Sequence, residues 1–203
     1  GSIPSQIFTL TALTGLFANF IAFTGSVPTQ IGHLTNLHEL YLYENRLGGQ
    51  IPTQIGLLTE LRVVAMARNM FLGTLPVELN LLTNLEILSL QRDFEQSKDP
   101  GISGPLPALD QLSQLTEVYL EYQMLTGSIP EFFIQNAPKD EGVKVDLTGN
   151  QLIGSVPTSL SAFLRLNLFL EDNEIEAINE NFCSSIGGWM GGKVETLGCS
   201  AFL

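Results

Sequence analysis

Apolar positions in this chain recur in a fixed figure. Leu37, Leu40 and Leu42 lead to Asn45, and Leu61, Val64 and Met66 lead to Asn69. The figure returns at Leu85, Leu88 and Leu90, at Leu115, Val118 and Leu120, at Val145 and Leu147 before Asn150, and at Leu168 and Leu170 before Asn173. The alternation at Leu40 and Leu42 has period two, which places both side chains on one face of a short strand. Between strands stands a second phrase, glycine to proline across an aliphatic: Gly1 to Pro4, Gly25 to Pro28, Gly49 to Pro52, Gly73 to Pro76, Gly104 to Pro107, Gly127 to Pro130 and Gly154 to Pro157. The first three intervals are each 24 residues. A repeat of this length predicts a solenoid, because one coil cannot bury its apolar face alone and neighbours must stack. Each coil then adds one strand to a parallel sheet, about 4.8 Å from the last, and glycine with proline forms a tight turn at the back of the coil.

The column that ends each strand reads Ile21, Asn45, Asn69, Asp93, Gln123, Asn150, Asn173. A buried amide there can satisfy backbone groups that the sheet leaves unpaired, in its own coil and the next. Gln123 can do part of this and Ile21 cannot, so the first coil is expected to be irregular. The figure L-x-x-L-x-L-x-x-N is the leucine-rich-repeat signature. With the glycine–proline phrase it resembles the plant-type repeat of receptor-kinase ectodomains and of secreted polygalacturonase-inhibiting proteins. The Pro-Thr-Gln-Ile-Gly-x-Leu-Thr runs at 28–35 and 52–59 are similar to repeats of algal and diatom leucine-rich-repeat proteins. The resemblance covers residues 1–178. It implies an α/β repeat fold, a right-handed horseshoe with a parallel sheet on the concave face and 3-10 or short helical turns on the convex side. It also implies recognition of a protein or peptide in an extracellular or cell-surface setting, as a receptor ectodomain or as a secreted inhibitor of cell-wall hydrolases. Such an array needs no cofactor and is not an enzyme.

Counting back from the asparagine column gives the side chains on the open face of the sheet. One column is Phe17, Tyr41, Ala65, Ser89, Tyr119, Asp146, Phe169, and the next is Gly15, Glu39, Val63, Ile87, Glu117, Lys144, Asn167. A third is Asn19, Tyr43, Ala67, Gln91, Glu121, Thr148, Glu171. Tyr41, Tyr43, Tyr119 and Tyr122 are expected to surround a shallow apolar centre of Val63, Ala65, Ala67 and Ile87, with an acidic rim of Glu39, Glu117 and Glu121. Aromatics amid acids are the side chains that anchor partners, and this set suits a basic or apolar peptide. Sheet faces favour aromatic and β-branched residues in any case. The period slips twice: Gly73 to Gly104 is 31 residues, with the extra length at 93–100, and Gly127 to Gly154 is 27, with 137–142 replacing the usual approach. Such insertions map to loops, often on the binding side.

Composition narrows the partners. The net charge of −12 argues against nucleic acid and anionic membrane surfaces. The uncharged run from Ile7 to Phe23 keeps repeat register and lacks a basic stretch before it, so it reads as a coil rather than a signal or membrane segment. The chain starts inside a repeat, which reads as a fragment whose membrane or kinase segments would lie elsewhere. His33 and His38 form no catalytic or metal spacing with other residues. Thr11, Thr14, Thr35, Thr59 and Thr83 read as too scattered for the flat array of an ice-binding surface. Residues 179–203 read as a terminal cap holding both cysteines, Cys183 and Cys199, and the sole tryptophan, Trp189. The pair is either a disulfide clamping the cap or two reduced, buried thiols. A cap with Gly-Gly-Trp is also similar to the ends of algal repeat proteins, which favours the disulfide. No Asn-x-Ser/Thr sequon occurs in the chain.

Overall fold

A computed structural model of the chain describes residues 1–94 and 100–177. Seven strands form one parallel sheet in chain order: Gly15–Phe17, Glu39–Tyr41, Val63–Ala65, Ile87–Ser89, Glu117–Tyr119, Val143–Asp146 and Leu166–Phe169. They define coils 1 to 7. The register pairs Phe17 with Tyr41, Tyr41 with Ala65, Ala65 with Ser89, Ser89 with Tyr119, Tyr119 with Asp146 and Asp146 with Phe169. The columns counted from the sequence are therefore the columns of the sheet. The alternate residues point inward: Leu37, Leu40, Leu42, Leu61, Val64, Leu85, Leu88, Leu115, Val118 and Leu120 have essentially no exposure. Burying one such side chain contributes about 1.5–3 kcal/mol.

On the side away from the sheet, proline sets the backbone. Pro28 (φ −72°), Pro52 (φ −69°) and Pro76 (φ −68°) each precede a five-residue 3-10 helix: Thr29–His33, Thr53–Leu57 and Val77–Leu81. Ser5–Thr9 and Thr158–Ala162 are formed alike. The same segment in coils 5 and 6 is bend or turn.

The asparagine column binds coils together. Asn69 donates through Nδ2 to Met66 O of its own coil (3.0 Å) and to Leu42 O of the coil before (2.9 Å), and its Oδ1 accepts from Leu47 N (2.9 Å). Asn45, Asn150 and Asn173 repeat the arrangement. The amide thus serves its own coil and the preceding one, not the next as its place in the sequence suggested. The geometry explains this: the side chain enters the core and meets the open strand end laid down one turn earlier. Gln123 reaches back in the same way, to Leu90 O and Ile102 N. Coil 1 is irregular. The other coils place one non-glycine or glycine residue in the left-handed region just before the column, whereas coil 1 has two, Phe20 and Ala22, flanking exposed Ile21.

The glycine–proline phrase does more than turn. It lies in or beside a second parallel ladder, made by Thr24–Gly25, Arg46–Gly49 and Met70–Phe71 and then by Gly73–Thr74, Ile102–Pro105, Met124–Ser128, Gln151–Ser155 and Glu174–Ala177. The reading of this phrase as only a back turn is corrected accordingly. Gly73 and Gly104 sit in this ladder at φ 77° and 81°, and a Cβ on Gly73 would lie 2.6 Å from Gln50 Cγ. Only glycine fits there.

Candidate ligand-binding face

The open face of the seven-stranded sheet has two chemically distinct ends. At coils 1 and 2 four aromatic rings meet. Phe17 stacks on Tyr41 (centroids 5.2 Å, 15° between planes), Tyr43 meets Tyr41 edge-on at 6.3 Å, and Phe20 meets Tyr43 edge-on at 5.2 Å. Phe17 is 63% exposed and Phe20 67%, so the cluster is a shelf rather than a core. Offset and edge contacts hold the rings in place at little further entropic cost on binding. Glu39 lies beside it in the neighbouring column, half-exposed.

The middle of the face departs from expectation. Val63 is 9% exposed, Ala65 8% and Ala67 5%. Each is a short side chain in a row between longer neighbours, Val63 between Glu39 and Ile87, Ala65 between Tyr41 and Ser89, so the taller residues shade it. Val63 and Ala65 form the floor of the face and offer no exposed apolar centre. Ile87 stays partly accessible.

At coils 5 to 7 the face is acidic around a single cation. Lys144 Nζ lies 4.6 Å from the Tyr119 ring centroid and 5.2 Å from that of Phe169. These rings flank Asp146 in one row. Burial pushes the Glu121 carboxyl up to about 8, helped by the charge of Asp146 and by a hydrogen bond between the two carboxyl groups, while Lys144 opposes the shift. Glu121 Oε2 is enclosed and has no hydrogen-bond partner. The Tyr119 hydroxyl is pushed up to about 12, by burial first and then by its hydrogen bond to Glu117. Tyr122 stands at φ 57°, and its ring meets Phe94 edge-on at 5.8 Å. Tyr122 therefore lies to the flank of the columns rather than in them. The sequence signalled the Tyr119 and Glu117 columns but not that Lys144 would lean between two rings, which depends on a side-chain path across columns.

Beyond the strand ends of coils 1 to 4 runs a groove of about 820 Å³, lined by Phe20, Glu44, Arg46, Arg68 and Pro100 among others. Arg68 is clamped between Glu44 and Asp93, residues of coils 2 and 4. The first insertion is described only at its ends, since 95–99 lie outside the described residues. In the second, Ala137 is buried while Lys139, Asp140, Glu141 and Gly142 are exposed, and Lys139 O accepts from Leu164 N at 3.0 Å. Cys183, Cys199 and Trp189 of the expected cap also lie outside the described residues. His38 Nδ1 contacts Asn36 O at 2.7 Å. Among the described residues no group of three or more His, Cys, Asp or Glu could hold a metal.

The threonines are more ordered than expected. Thr11, Thr35, Thr59 and Thr83 all follow the leucine that opens the same tight turn, closed by Leu13, Leu37, Leu61 and Leu85 N–H groups at 2.8–2.9 Å. All four are exposed and form one column on successive coils. Thr14 stands apart from it. The earlier reading missed that their spacing equals the repeat period.

Comparison with known proteins fits this geometry. The family described as "Leucine Rich Repeat" matches residues 36–58. No curated protein sequence matches the chain. Among solved structures, a TDR receptor is 31% identical with a TM-score of 0.79, over 91% of this chain and 31% of that one. The Arabidopsis receptor kinase HAESA, in complex with the peptide hormone IDA and the co-receptor SERK1, is 30% identical with a TM-score of 0.79, over 92% of this chain and 30% of that one. A plant ice-binding protein is 27% identical with a TM-score of 0.60, over 90% and 48%. The chain spans less than a third of the length of the two receptor chains. Its repeats, its two parallel ladders and these likenesses together make it a leucine-rich-repeat solenoid of the plant type.

Proposed function

We propose that the chain is a recognition module of a secreted or cell-surface protein, and that the open face of the sheet binds a protein or peptide. The observation that carries this reading is the exposed aromatic shelf of Phe17, Tyr41, Tyr43 and Phe20, continuous along one sheet with half-exposed Ile87 and the acidic set Glu117, Tyr119 and Glu121. Preordered aromatics supply binding area at low entropic cost. The HAESA complex, which holds a peptide hormone, supports a receptor ectodomain as the parent. Among the described residues no helix is long and apolar enough to cross a membrane.

The test is selection of a phage-displayed random peptide library on the whole chain, followed by affinity measurement with Tyr41→Ala, Tyr119→Ala and Glu117→Ala. Each substitution is expected to weaken binding about five- to thirty-fold, equivalent to about 1–2 kcal/mol. Unchanged affinity in all three sinks the reading.

A second reading has its own observation. The exposed column of Thr11, Thr35, Thr59 and Thr83, repeating about every 4.8 Å, and the likeness to an ice-binding protein support an ice- or surface-binding solenoid. Thermal hysteresis in the chain, abolished by Thr35→Leu with Thr59→Leu, would establish it. Inhibition of pectin-degrading activity would instead favour the hydrolase-inhibitor parent.

A further inference from the structure

The partner's charge can be taken further, on the reading that the open face is the binding surface. Tyr119 and Phe169 stand on either side of Asp146 in a single row of the sheet. Strands two apart are separated by about 10 Å, which leaves room between two rings for one cation. Lys144 Nζ lies in that space, within 5.2 Å of both centroids. Ring faces attract a cation at such distances, and the carboxylates around this one outnumber it. Glu117, Glu121, Asp146, Glu171 and Asp172 all belong to coils 5 to 7.

We infer that this place between Tyr119 and Phe169 is a seat for a lysine or arginine side chain of the ligand, and that Lys144 holds the seat until such a side chain displaces it. Lys144 is suited to yield. Its amine rests against ring faces, it rises from the column beside Asp146, and its chain can swing out to solvent. Arginine is the better guest, because its planar guanidinium stacks on rings and can also bond a carboxylate in two places.

The aromatic shelf fixes where the ligand's other anchor falls. Tyr41 and Asp146 lie in one column, four strand steps apart, or ~19 Å. An extended segment advances about 3.3 Å per residue. The ligand therefore places an aromatic or large apolar side chain about six residues from its basic one, with the chain running across the coils.

Protonation offers an independent readout. The Glu121 carboxyl, with Asp146, Lys144, Tyr119, Tyr122, Glu171 and Asp172 as charged or titratable neighbours, holds a proton at neutral pH. A second cation delivered to the seat lowers that affinity for the proton and expels it.

The experiment uses peptides enriched from the random library, resynthesised with and without their basic residue, on the whole chain. Enriched sequences are expected to share a basic residue about six positions from an aromatic. Lys144→Ala is expected to tighten the basic peptide about ten-fold, a gain that misfolding cannot imitate. Asp146→Asn is expected to weaken it about ten-fold. Replacing the peptide's arginine by methionine should remove both effects. Titration calorimetry at pH 7 in buffers of different ionisation heat should show release of close to one proton, absent in Glu121→Gln. If Lys144→Ala weakens binding or leaves it unchanged while Tyr41→Ala still weakens it, the cation seat is overturned and the open-face reading stands. If no open-face substitution alters binding, both fall.

Discussion

Asn69 and Glu121 show how much single side chains decide here. Asn69 makes its bonds to Leu42 O, Met66 O and Leu47 N inside the core. Asn69→Ala leaves these groups without partners, at about 1–3 kcal/mol each where water cannot enter. A loss of at least about 3 kcal/mol is expected by urea denaturation, and a smaller one for Asn173→Ala, whose bonds are only part-buried. Glu121 works in the other direction. Its carboxyl titrates at about 8 in the fold against about 4.3 in an unfolded chain. The fold therefore favours the protonated form. Its stabilisation is complete below about pH 4.3 and is lost as pH rises toward 8. Glu121→Gln should flatten the fall in stability between pH 5 and 8 and raise the midpoint at pH 8, by about 1–3 kcal/mol once solvent screening is allowed for. A melt series whose slope matches the wild type over that range would refute the assignment.

Elements depend on how the repeat is punctuated. Proline fixes the entry to the 3-10 helices, and this was legible in the sequence because φ near −65° is the residue's own property. The second ladder was not legible. Its strands include Thr24–Gly25 and Gly73–Thr74, with no alternation of apolar residues to mark them. A glycine at positive φ also reads from sequence as a turn even where it carries a ladder. Gly104→Ala is the direct probe. It adds left-handed strain of about 1–2 kcal/mol and brings a Cβ to 3.0 Å from Thr74 Cγ2. Hydrogen exchange should quicken at Ile102 and in the partner strand Gly73–Thr74, while the Ile87–Ser89 strand keeps its protection. The open face was legible for a similar reason of periodicity: side chains two apart must share a face, so the columns followed by counting. Heights did not follow. Whether Ala65 is exposed depends on the length of Tyr41 beside it, and counting positions carries no information on shading. The four-threonine column was legible in principle, since its members are spaced by the repeat.

The whole molecule is a stack in which each coil touches only its neighbours, so stability is a sum of coils and of interfaces. Leu88 lies in the fourth of seven strands and has no exposure. Leu88→Ala should cost about 2–5 kcal/mol. Because of the linear architecture, exchange should quicken most in coils 3 to 5 and least in coil 1; uniform loss across all seven would show that the array unfolds as one block. The charge of the chain belongs to this scale as well. At −12 overall, it favours encounter with cationic partners from any approach and raises association rates that fall with salt.

The backward reach of the asparagines gives the array a direction in time. Ala18 O and Phe23 N in coil 1 are satisfied by Asn45, which a ribosome delivers about one repeat later. The same holds for Leu42 O with Asn69 and for Leu147 O with Asn173. A coil emerging during synthesis is thus unfinished until its successor arrives, and order travels down the nascent chain one repeat behind the point of elongation.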